Sequence, residues 1–245
     1  MIYQIRFILF LVVIAIFQTL QAAVDADKII GVNDLIAVNE DASNIPLHYR
    51  SLVDAFGMLS MGCTATHIGH GVVISAGHCF EAPPEAIENQ LCADISVAWG
   101  LRGQKTAYLV SKCEKIILAQ RSQRGDFAII QVSPAPTVAI APDLQRRAVI
   151  GDTLTLFSYP DGQPLSWSQL CGVERKPDLA LPANSIQHQC DTNPGSSGAA
   201  IINALSLKIV GIHDGGRVDE YGQGMNYGTF ITDSPLFEKL VSLGF

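Results

Sequence analysis

Short runs of strand-forming residues recur along the chain and are separated by turn residues. Three examples are HGVVISAG at 70–77, DFAIIQV at 126–132 and GAAIINA at 198–204. Runs of this length and spacing, bounded by turn residues, predict an all-β sandwich or barrels. The proline-rich stretch at 135–145 has the composition of a loop, and we expect it to connect two β units.

The C-terminal stretch TDSPLFEKLVSLGF, at 232–245, departs from this pattern. Asp233 or Ser234 can cap a helix there, Pro235 suits the first turn, and apolar residues follow at 236, 237, 240, 241 and 243. This arrangement is typical of an amphipathic helix. We therefore expect a C-terminal helix on a chain that is otherwise built from strands.

The composition limits the possible partners. Of the 245 residues, 48% are hydrophobic and 16% are charged, which fits a packed globular core. The net charge is −7 and no basic cluster interrupts it, so we expect no binding to nucleic acid. No motif indicates a metal or an organic cofactor, and we expect none.

The N-terminal stretch MIYQIRFILFLVVIAIFQTLQAA is typical of a signal peptide. Arg6 precedes an unbroken apolar run at 7–17, and the small residues Ala22 and Ala23 follow. A membrane anchor is the alternative, but the run is shorter than the roughly 20 apolar residues that a spanning helix needs. We therefore expect a signal peptide over 1–22, export to the periplasm or the extracellular space, and no stable membrane anchor after cleavage.

The chain has six cysteines, and an even count in an exported protein favours disulfide bonds. Many pairings are possible, and the simplest joins neighbours along the chain: Cys63–Cys79, Cys92–Cys113 and Cys171–Cys190. The first pair encloses a histidine-bearing loop, and the third would anchor the segment before a serine-rich turn. The second pair then follows by elimination.

That histidine is His78, in GCTATHIGHGVVISAGHCF at 62–80. It follows a predicted strand and adjoins Cys79, so a disulfide there would give it the rigidity that a catalytic base needs. The alternative is a zinc site, with the candidate ligands Cys63, His67, His70, His78 and Cys79. His67 and His70 would point to opposite faces of a strand, which disfavours that reading.

Asp126 begins an apolar strand, a position that suits a carboxylate held against an imidazole better than simple packing. The serine-rich turn DTNPGSSGAA follows at 191–200. Gly195 would let its own N–H and that of Ser197 converge as an oxyanion hole, with Ser197 as the nucleophile of a Gly-x-Ser-Gly turn and Ser196 at the x position. Taken alone the turn could be a polar β-turn; together with His78 and Asp126 it predicts nucleophilic catalysis.

The segments SAGHC, GDFAII and GSSGA, in this order, resemble the trypsin/chymotrypsin superfamily of serine endopeptidases. The resemblance implies two perpendicular six-stranded antiparallel β-barrels with a cleft between them. The first would span 29–140 and carry His78 and Asp126; the second would span 141–245, with Ser197 and the C-terminal helix. It also implies hydrolysis of protein or peptide substrates through an acyl-enzyme, by a monomer.

The sequence DADKIIGVND resembles the activation junction of that superfamily. It implies a short propeptide over 23–28 and a zymogen that an activating protease cuts after Lys28; the alternative is an ordinary strand start. Digestive trypsins carry an aspartate just before the nucleophile that pairs with the new N-terminus. Here that position is Ser196, so this ion pair is missing.

The substrate pocket resembles that of the bacterial glutamyl endopeptidases. By this resemblance its walls are Asp191, Thr192, His213, Asp214, Gly215 and Gly216. Thr192 and His213 would donate to a substrate carboxylate, which favours cleavage after acidic residues. Asp191 stands where trypsins select Arg or Lys, so basic selectivity is an alternative. A second alternative is that His213 only satisfies a hydrogen bond in the core, with a preference for small or apolar residues. A third is a catalytically weak binding homologue.

Overall fold

The computed structural model describes residues 28–83, 85–175, 177–218 and 224–245. The expected signal peptide and residues 23–27 of the expected propeptide lie outside these ranges. In chain order the strands are β1 (Ile36–Ala37), β2 (Phe56–Leu59), β3 (Thr64–Gly69), β4 (Val72–Ser75), β5 (Ile87–Leu91), β6 (Ser96–Trp99), β7 (Leu109–Ser122), β8 (Gly125–Ser133), β9 (Thr153–Ser158), β10 (Ser166–Gly172), β11 (Ser185–His188), β12 (Ala200–Asn203), β13 (Ile209–Val218) and β14 (Gly224–Phe230). The prediction of an all-β chain is confirmed.

The first sheet has the strand order β5-β7-β6-β2-β3-β4-β8, and β7 also pairs with β8. Six of its strands therefore close into a barrel, and β5 lies outside on β7. Trp99 is fully buried in this barrel and lies against Gly57 of β2. A Cβ at Gly57 would meet the Trp99 ring at 2.7 Å, so the absence of a side chain there makes room for the indole.

The second sheet has the order β1-β10-β9-β12-β13-β14-β11. An isolated bridge between Val173 and His188 joins its β10 and β11 sides, flanked by backbone bonds from Glu174 N to Gln187 O (2.8 Å) and from Gln189 N to Gly172 O (3.0 Å). The second sheet thus closes more weakly than the first.

Strand β1 belongs to the second sheet, although it precedes every strand of the first. Ile36 pairs with Trp167 and Ala37 with Ser166. The expected first unit at 29–140 therefore needs correction at its N-terminal side, because the backbone groups of β1 find their partners on β10. The expected connection at 135–145 lies between β8 and β9.

A shared apolar core joins the two sheets. The ring of Phe56 on β2 stacks on Phe157 of β9, with centroids 5.1 Å apart, and the Tyr159 hydroxyl donates to Phe56 O at 3.0 Å. This core fixes the first sheet against the second, and thereby fixes the walls of the cleft described below.

Two α-helices are present in the described ranges, α1 (Leu47–Arg50) and α2 (Pro235–Ser242). Helix α2 confirms the expected C-terminal helix. Its cap is Ser234, whose hydroxyl accepts from Phe237 N at 3.4 Å, and Leu236 and Leu240 are fully buried. No helix in the described part of the chain is long and apolar enough to cross a membrane.

Three disulfide bonds join all six cysteines: Cys63–Cys79, Cys92–Cys113 and Cys171–Cys190. These are the pairs expected from the order of the cysteines. Disulfide bonds of this kind persist in oxidising compartments, which favours an extracellular or periplasmic location.

Candidate active site

His78 and Asp126 lie in contact because their strands are neighbours. His78 is in the 3₁₀ turn Gly77–Phe80 that follows β4, and Asp126 is the second residue of β8, which pairs with β4. Asp126 Oδ1 accepts from His78 N at 2.8 Å, and its Oδ2 lies 2.8 Å from His78 Nδ1. The carboxylate therefore holds the Nδ1 proton and leaves Nε2 as the basic nitrogen.

The turn that carries His78 is rigid for two reasons. A side chain at Gly77 would collide with the carbonyl oxygens of Gln120 and Phe127, so the turn packs directly on β7 and β8. The Cys63–Cys79 disulfide then ties the residue after His78 to the start of β3. Together these contacts fix the imidazole at the edge of the first barrel.

The same disulfide removes two ligands from the alternative zinc site, because bonded sulfur atoms offer no thiolate. His67 is also engaged: its Nδ1 lies 2.6 Å from Val138 O, and its Nε2 accepts from Gly71 N at 3.1 Å. Burial lowers the pKa of His67. His67 is therefore a neutral histidine that ties the barrel wall to the β8–β9 connection.

The serine-rich turn of the second sheet is fastened to the first sheet by Thr64. Its hydroxyl donates to Gly195 O at 2.8 Å, and its N–H donates to Ser197 O at 2.9 Å. Gly195 has a φ of +98°, and a Cβ there would meet Tyr159 O at 2.5 Å. Within the described ranges the N–H groups of Gly195 and Ser197 have no acceptor, as an oxyanion hole requires.

Ser197 and its neighbour Ser196 have different environments. Ser196 is fully buried; its Oγ lies 2.9 Å from Ser158 Oγ and accepts from Asn193 N at 3.2 Å. Ser197 lines the same cleft as His78. Its hydroxyl donates to Asp214 O at 3.5 Å, and in the described part of the chain it has no hydrogen bond to His78. Such bonds are commonly long or absent in ligand-free sites.

A second carboxyl group lies behind the His78–Asp126 pair. The Thr229 hydroxyl accepts from Asp126 N at 2.8 Å and donates to Asp214 Oδ2 at 2.8 Å, while Asp214 Oδ1 is enclosed without a partner in the described structure. Burial, and then the charge of Asp126, raise the pKa of Asp214 well above its usual range. Thr229 could not be predicted from the sequence, since an isolated threonine in a strand has no distinguishing pattern.

Asp191 is buried, and its carboxylate accepts hydrogen bonds from the N-terminal segment. Its Oδ1 accepts from Ile30 N at 2.7 Å, and its Oδ2 accepts from Asp34 N at 2.6 Å. Nearby, Lys28 N donates to Asn226 Oδ1 at 2.9 Å, and Lys28 O accepts from Thr192 N at 3.1 Å. Both oxygens of Asp191 thus serve backbone groups, which disfavours a salt bridge to a basic substrate side chain.

Thr192 and His213 are both fully buried, and Thr192 contacts this segment through its N–H. The Thr192 hydroxyl has no hydrogen-bond partner within the described ranges. His213 Nδ1 lies 3.1 Å from His188 Nε2, and His188 Nδ1 accepts from Cys190 N at 3.3 Å.

Burial, and then His213, lower the pKa of His188 well below its usual range, so His188 is neutral. Since its Nδ1 accepts a hydrogen bond from Cys190 N–H, the proton of the neutral ring is on Nε2, which donates a hydrogen bond to His213 Nδ1. His213 in its neutral form then carries its proton on Nε2. No motif in the sequence marks His188 as a partner of His213.

The cleft has a volume of about 1120 Å³ and contains His78, Asp126, Gly195, Ser197 and Asp214 in its lining. Of the other expected pocket residues, Asp191, Thr192, His213, Gly215 and Gly216 are buried and lie outside this lining in the described structure.

A serine at the tip of a glycine turn, with a histidine–aspartate pair in the same cleft between two β-sheets, defines a serine peptidase of the double-barrel type. The model of the trypsin-like peptidase domain matches residues 63–212, and the chain belongs to that family. It is a serine endopeptidase.

Solved structures share this fold at low sequence identity. They include the inactive form of the Rv3671c protease (15% identity, TM-score 0.54, covering 80% of this chain and 92% of that one). A thermostable serine protease, AL20, from an extremophilic microorganism has 14% identity and a TM-score of 0.60, covering 80% and 100%. The serine endoprotease from Yersinia pestis has 16% identity and a TM-score of 0.54, covering 81% and 67%. A search of curated protein sequences gave no match.

Proposed function

We propose that this chain is an exported endopeptidase that acts through an acyl-enzyme, with Ser197 as nucleophile, His78 as general base and acid, and Asp126 as the residue that orients His78. The observation that carries this proposal is the double contact of Asp126 with His78 N and Nδ1, which leaves Nε2 to face the cleft that Ser197 lines. For attack, the Ser197 hydroxyl turns from Asp214 O to His78 Nε2. The oxyanion would then bind the N–H groups of Gly195 and Ser197.

The test is a pair of serine variants. Ser197→Ala is expected to lower kcat/KM on a peptide substrate at least about a thousandfold and to abolish labelling by a serine-directed phosphonate. Ser196→Ala, in the same turn, is the matched control and should keep most of the activity and the label. A binding homologue without activity would not take the label at all. Full activity of Ser197→Ala would overturn the assignment.

We further propose that the enzyme cleaves after acidic residues. A buried substrate carboxylate needs donors, and the resemblance to glutamyl endopeptidases supplies two candidates: the Thr192 hydroxyl, which has no partner in the described structure, and His213, whose neutral form carries its proton on Nε2. The alternative, selection of Arg or Lys by Asp191, is disfavoured because both carboxylate oxygens accept backbone N–H groups.

Peptides that differ only in the residue before the scissile bond, Glu, Gln or Arg, test the preference. Thr192→Val keeps the shape of the side chain and removes the hydroxyl, and His213→Ala removes the imidazole. Each is expected to lower the Glu:Gln ratio of kcat/KM by about tenfold or more, because a buried carboxylate loses a donor. A preference for Arg that both variants retain would establish the basic alternative.

Maturation is the third part of the proposal: removal of a signal peptide over 1–22, and then a cut after Lys28. Ser196 is paired with Ser158, so the new N-terminus would be stabilised differently from that of the digestive trypsins. N-terminal sequencing of the exported, active protein decides this. A stable terminus at Ala23 or Val24 would contradict the second cut.

A further inference from the structure

The lining of the cleft is basic, although the chain as a whole has a net charge of −7. Three arginines contribute to the lining, Arg121, Arg124 and Arg217, against two carboxyl groups, Asp126 and Asp214. A local excess of positive charge inside a low-dielectric cleft raises the local concentration of negatively charged ligands. The position of this excess, in the cleft that holds Ser197, connects it to substrate binding.

The three arginines keep donors for a ligand. Arg121 is 58% exposed, and its Nε lies 3.8 Å from Asp126 Oδ2, beyond hydrogen-bond distance. Arg124 has no ion pair within the described ranges. Arg217 is 33% exposed and uses one NH₂ group on Asp178 Oδ2 at 3.1 Å. A guanidinium has five N–H donors, so most of them stay unused.

The two carboxyl groups of the lining offset only part of the charge of the three arginines. Asp126 has both oxygens on His78. The Asp214 side chain accepts from the Thr229 hydroxyl, and burial raises its pKa and so disfavours the charged form. Asp178, which holds Arg217, also accepts from Ala180 N at 2.8 Å, so it acts as a fixed support for the guanidinium.

The strand that carries Arg217 offers an edge for an extended peptide. One edge of β13 pairs with β14, with Gly215 opposite Tyr227 and Arg217 opposite Met225. The other edge pairs with β12 as far as Ile212, and His213 adds two backbone bonds, from its N to Ala199 O and from Gly198 N to its O, both at 2.8 Å. Beyond that point the edge has no strand partner in the described structure, and Asp214 O lies 3.5 Å from Ser197 Oγ. An unpaired edge next to a nucleophile suits strand addition by a substrate.

Arg217 is three residues from Asp214, which is about 10 Å along an extended strand. A peptide held on this edge with its scissile bond at Ser197 would place its third or fourth residue before that bond beside Arg217. Arg121, near the end of β7, and Arg124, in the turn between β7 and β8, line the same cleft. Planar guanidinium groups bind carboxylates with two parallel hydrogen bonds.

We propose that Arg121, Arg124 and Arg217 form a second acid-binding wall, which selects an acidic side chain at the third or fourth residue before the scissile bond. This inference rests on the proposed peptidase activity of the site and is independent of the preference at the residue before the bond.

The experiment uses peptides with one fixed residue before the scissile bond and Glu or Gln at the third and fourth positions. The Glu peptides are expected to have about tenfold higher kcat/KM at low ionic strength, with a smaller advantage at physiological salt. Arg217→Gln should bring the Glu:Gln ratio close to 1, and Arg217→Lys, which keeps the charge without the planar fork, should give an intermediate ratio. Arg121→Gln and Arg124→Gln should each lower the Glu:Gln ratio of kcat/KM, but not as far as 1.

Arg146→Gln is the matched control, because Arg146 is an exposed arginine outside the lining of the cleft, and it should leave both rates unchanged. Phosphonate labelling of Ser197 in each variant shows that the site is folded. A ratio near 1 in the unmodified enzyme, or a high ratio that survives all three Gln substitutions, would overturn this inference while leaving the peptidase assignment intact. Failure of the unmodified enzyme to cleave any peptide or to take the label would instead refute the proposed activity.

Discussion

Asp191 provides the sharpest test of how the N-terminal segment and the substrate pocket are related. Its carboxylate is 3% exposed and accepts two short backbone bonds, from Ile30 N at 2.7 Å and Asp34 N at 2.6 Å. A reading of Asp191 as a selector of basic substrates predicts a change in specificity on substitution. A reading of it as an anchor predicts a change in stability.

The size of that change follows from the two bonds. A hydrogen bond to a charged group contributes about 1.5–3 kcal/mol. Asp191→Asn keeps one acceptor oxygen and presents an NH₂ group where the other was, so it should lose one bond and about 1.5–3 kcal/mol of unfolding free energy. For a chain of this size that corresponds to a Tm lower by about 3–12 °C. Asp191→Ala loses both bonds, but water can reach the partly exposed N–H groups, so we expect about 3–4 kcal/mol.

Thermal and urea unfolding should be measured in the Ser197→Ala background, which prevents self-digestion, and cleavage of Glu and Arg peptides in the active background. We expect a lower Tm with an unchanged Glu:Arg ratio. Asp233→Asn, at an exposed carboxylate, is the control and should change stability by no more than about 0.5 kcal/mol. An unchanged Tm together with selective loss of cleavage after Arg would refute the anchor reading.

Three further substitutions have expected outcomes. Burial raises the folded-state pKa of Asp214, so its contribution to stability is full below the usual carboxyl pKa and is lost as the pH rises through the folded-state pKa. The unfolding free energy of Asp214→Asn, measured in urea, should therefore increase relative to that of the unmodified protein from pH 5 to pH 8. A difference that stays constant over this range would contradict the expectation. Ser234→Ala removes the cap of α2 and should lower the unfolding free energy by about 1 kcal/mol without changing kcat/KM, as measured by urea unfolding and peptide cleavage. Replacing Cys63 and Cys79 together by Ala should cost about 3 kcal/mol and lower kcat, because the turn of His78 loses its tie; full retention of both quantities would show that the turn is rigid without the disulfide.

Helix α2 and the candidate catalytic residues could be predicted because their signals lie within short segments of the sequence. The 3.6-residue periodicity and the Ser-Pro pair indicated α2, where Leu236 and Leu240 are buried. The order of the histidine, aspartate and serine motifs indicated a site whose first two members are in contact at 2.8 Å. Each of these signals depends on residues within one element, or on motifs that are recognisable one by one.

Contacts between distant segments could not be predicted in the same way. Asp191 accepts hydrogen bonds from the backbone N–H groups of Ile30 and Asp34. Almost every residue has a backbone N–H group, so the residue types at these positions do not indicate the bonds. His188 contacts His213 only because β11 and β13 flank β14. The acid-binding wall could not be predicted either, because Arg217 lies far from Arg121 and Arg124 in a sequence whose overall charge is negative.

The placement of β1 on the second sheet has a consequence for the order in which the chain assembles. The strands of the first barrel all lie within residues 56–133, whereas β1 pairs with β10, and the backbone N–H groups of Lys28, Ile30 and Asp34 donate to the side chains of Asn226 and Asp191. Residues 28–37 are synthesised first but can pair only after the strands of the second sheet have formed. Independent folding of one barrel after the other therefore cannot complete the structure. Contacts of such long sequence separation slow folding and leave strand edges exposed in the meantime. We expect refolding to show an early phase for the first barrel and a later phase in which docking of β1 completes the second sheet.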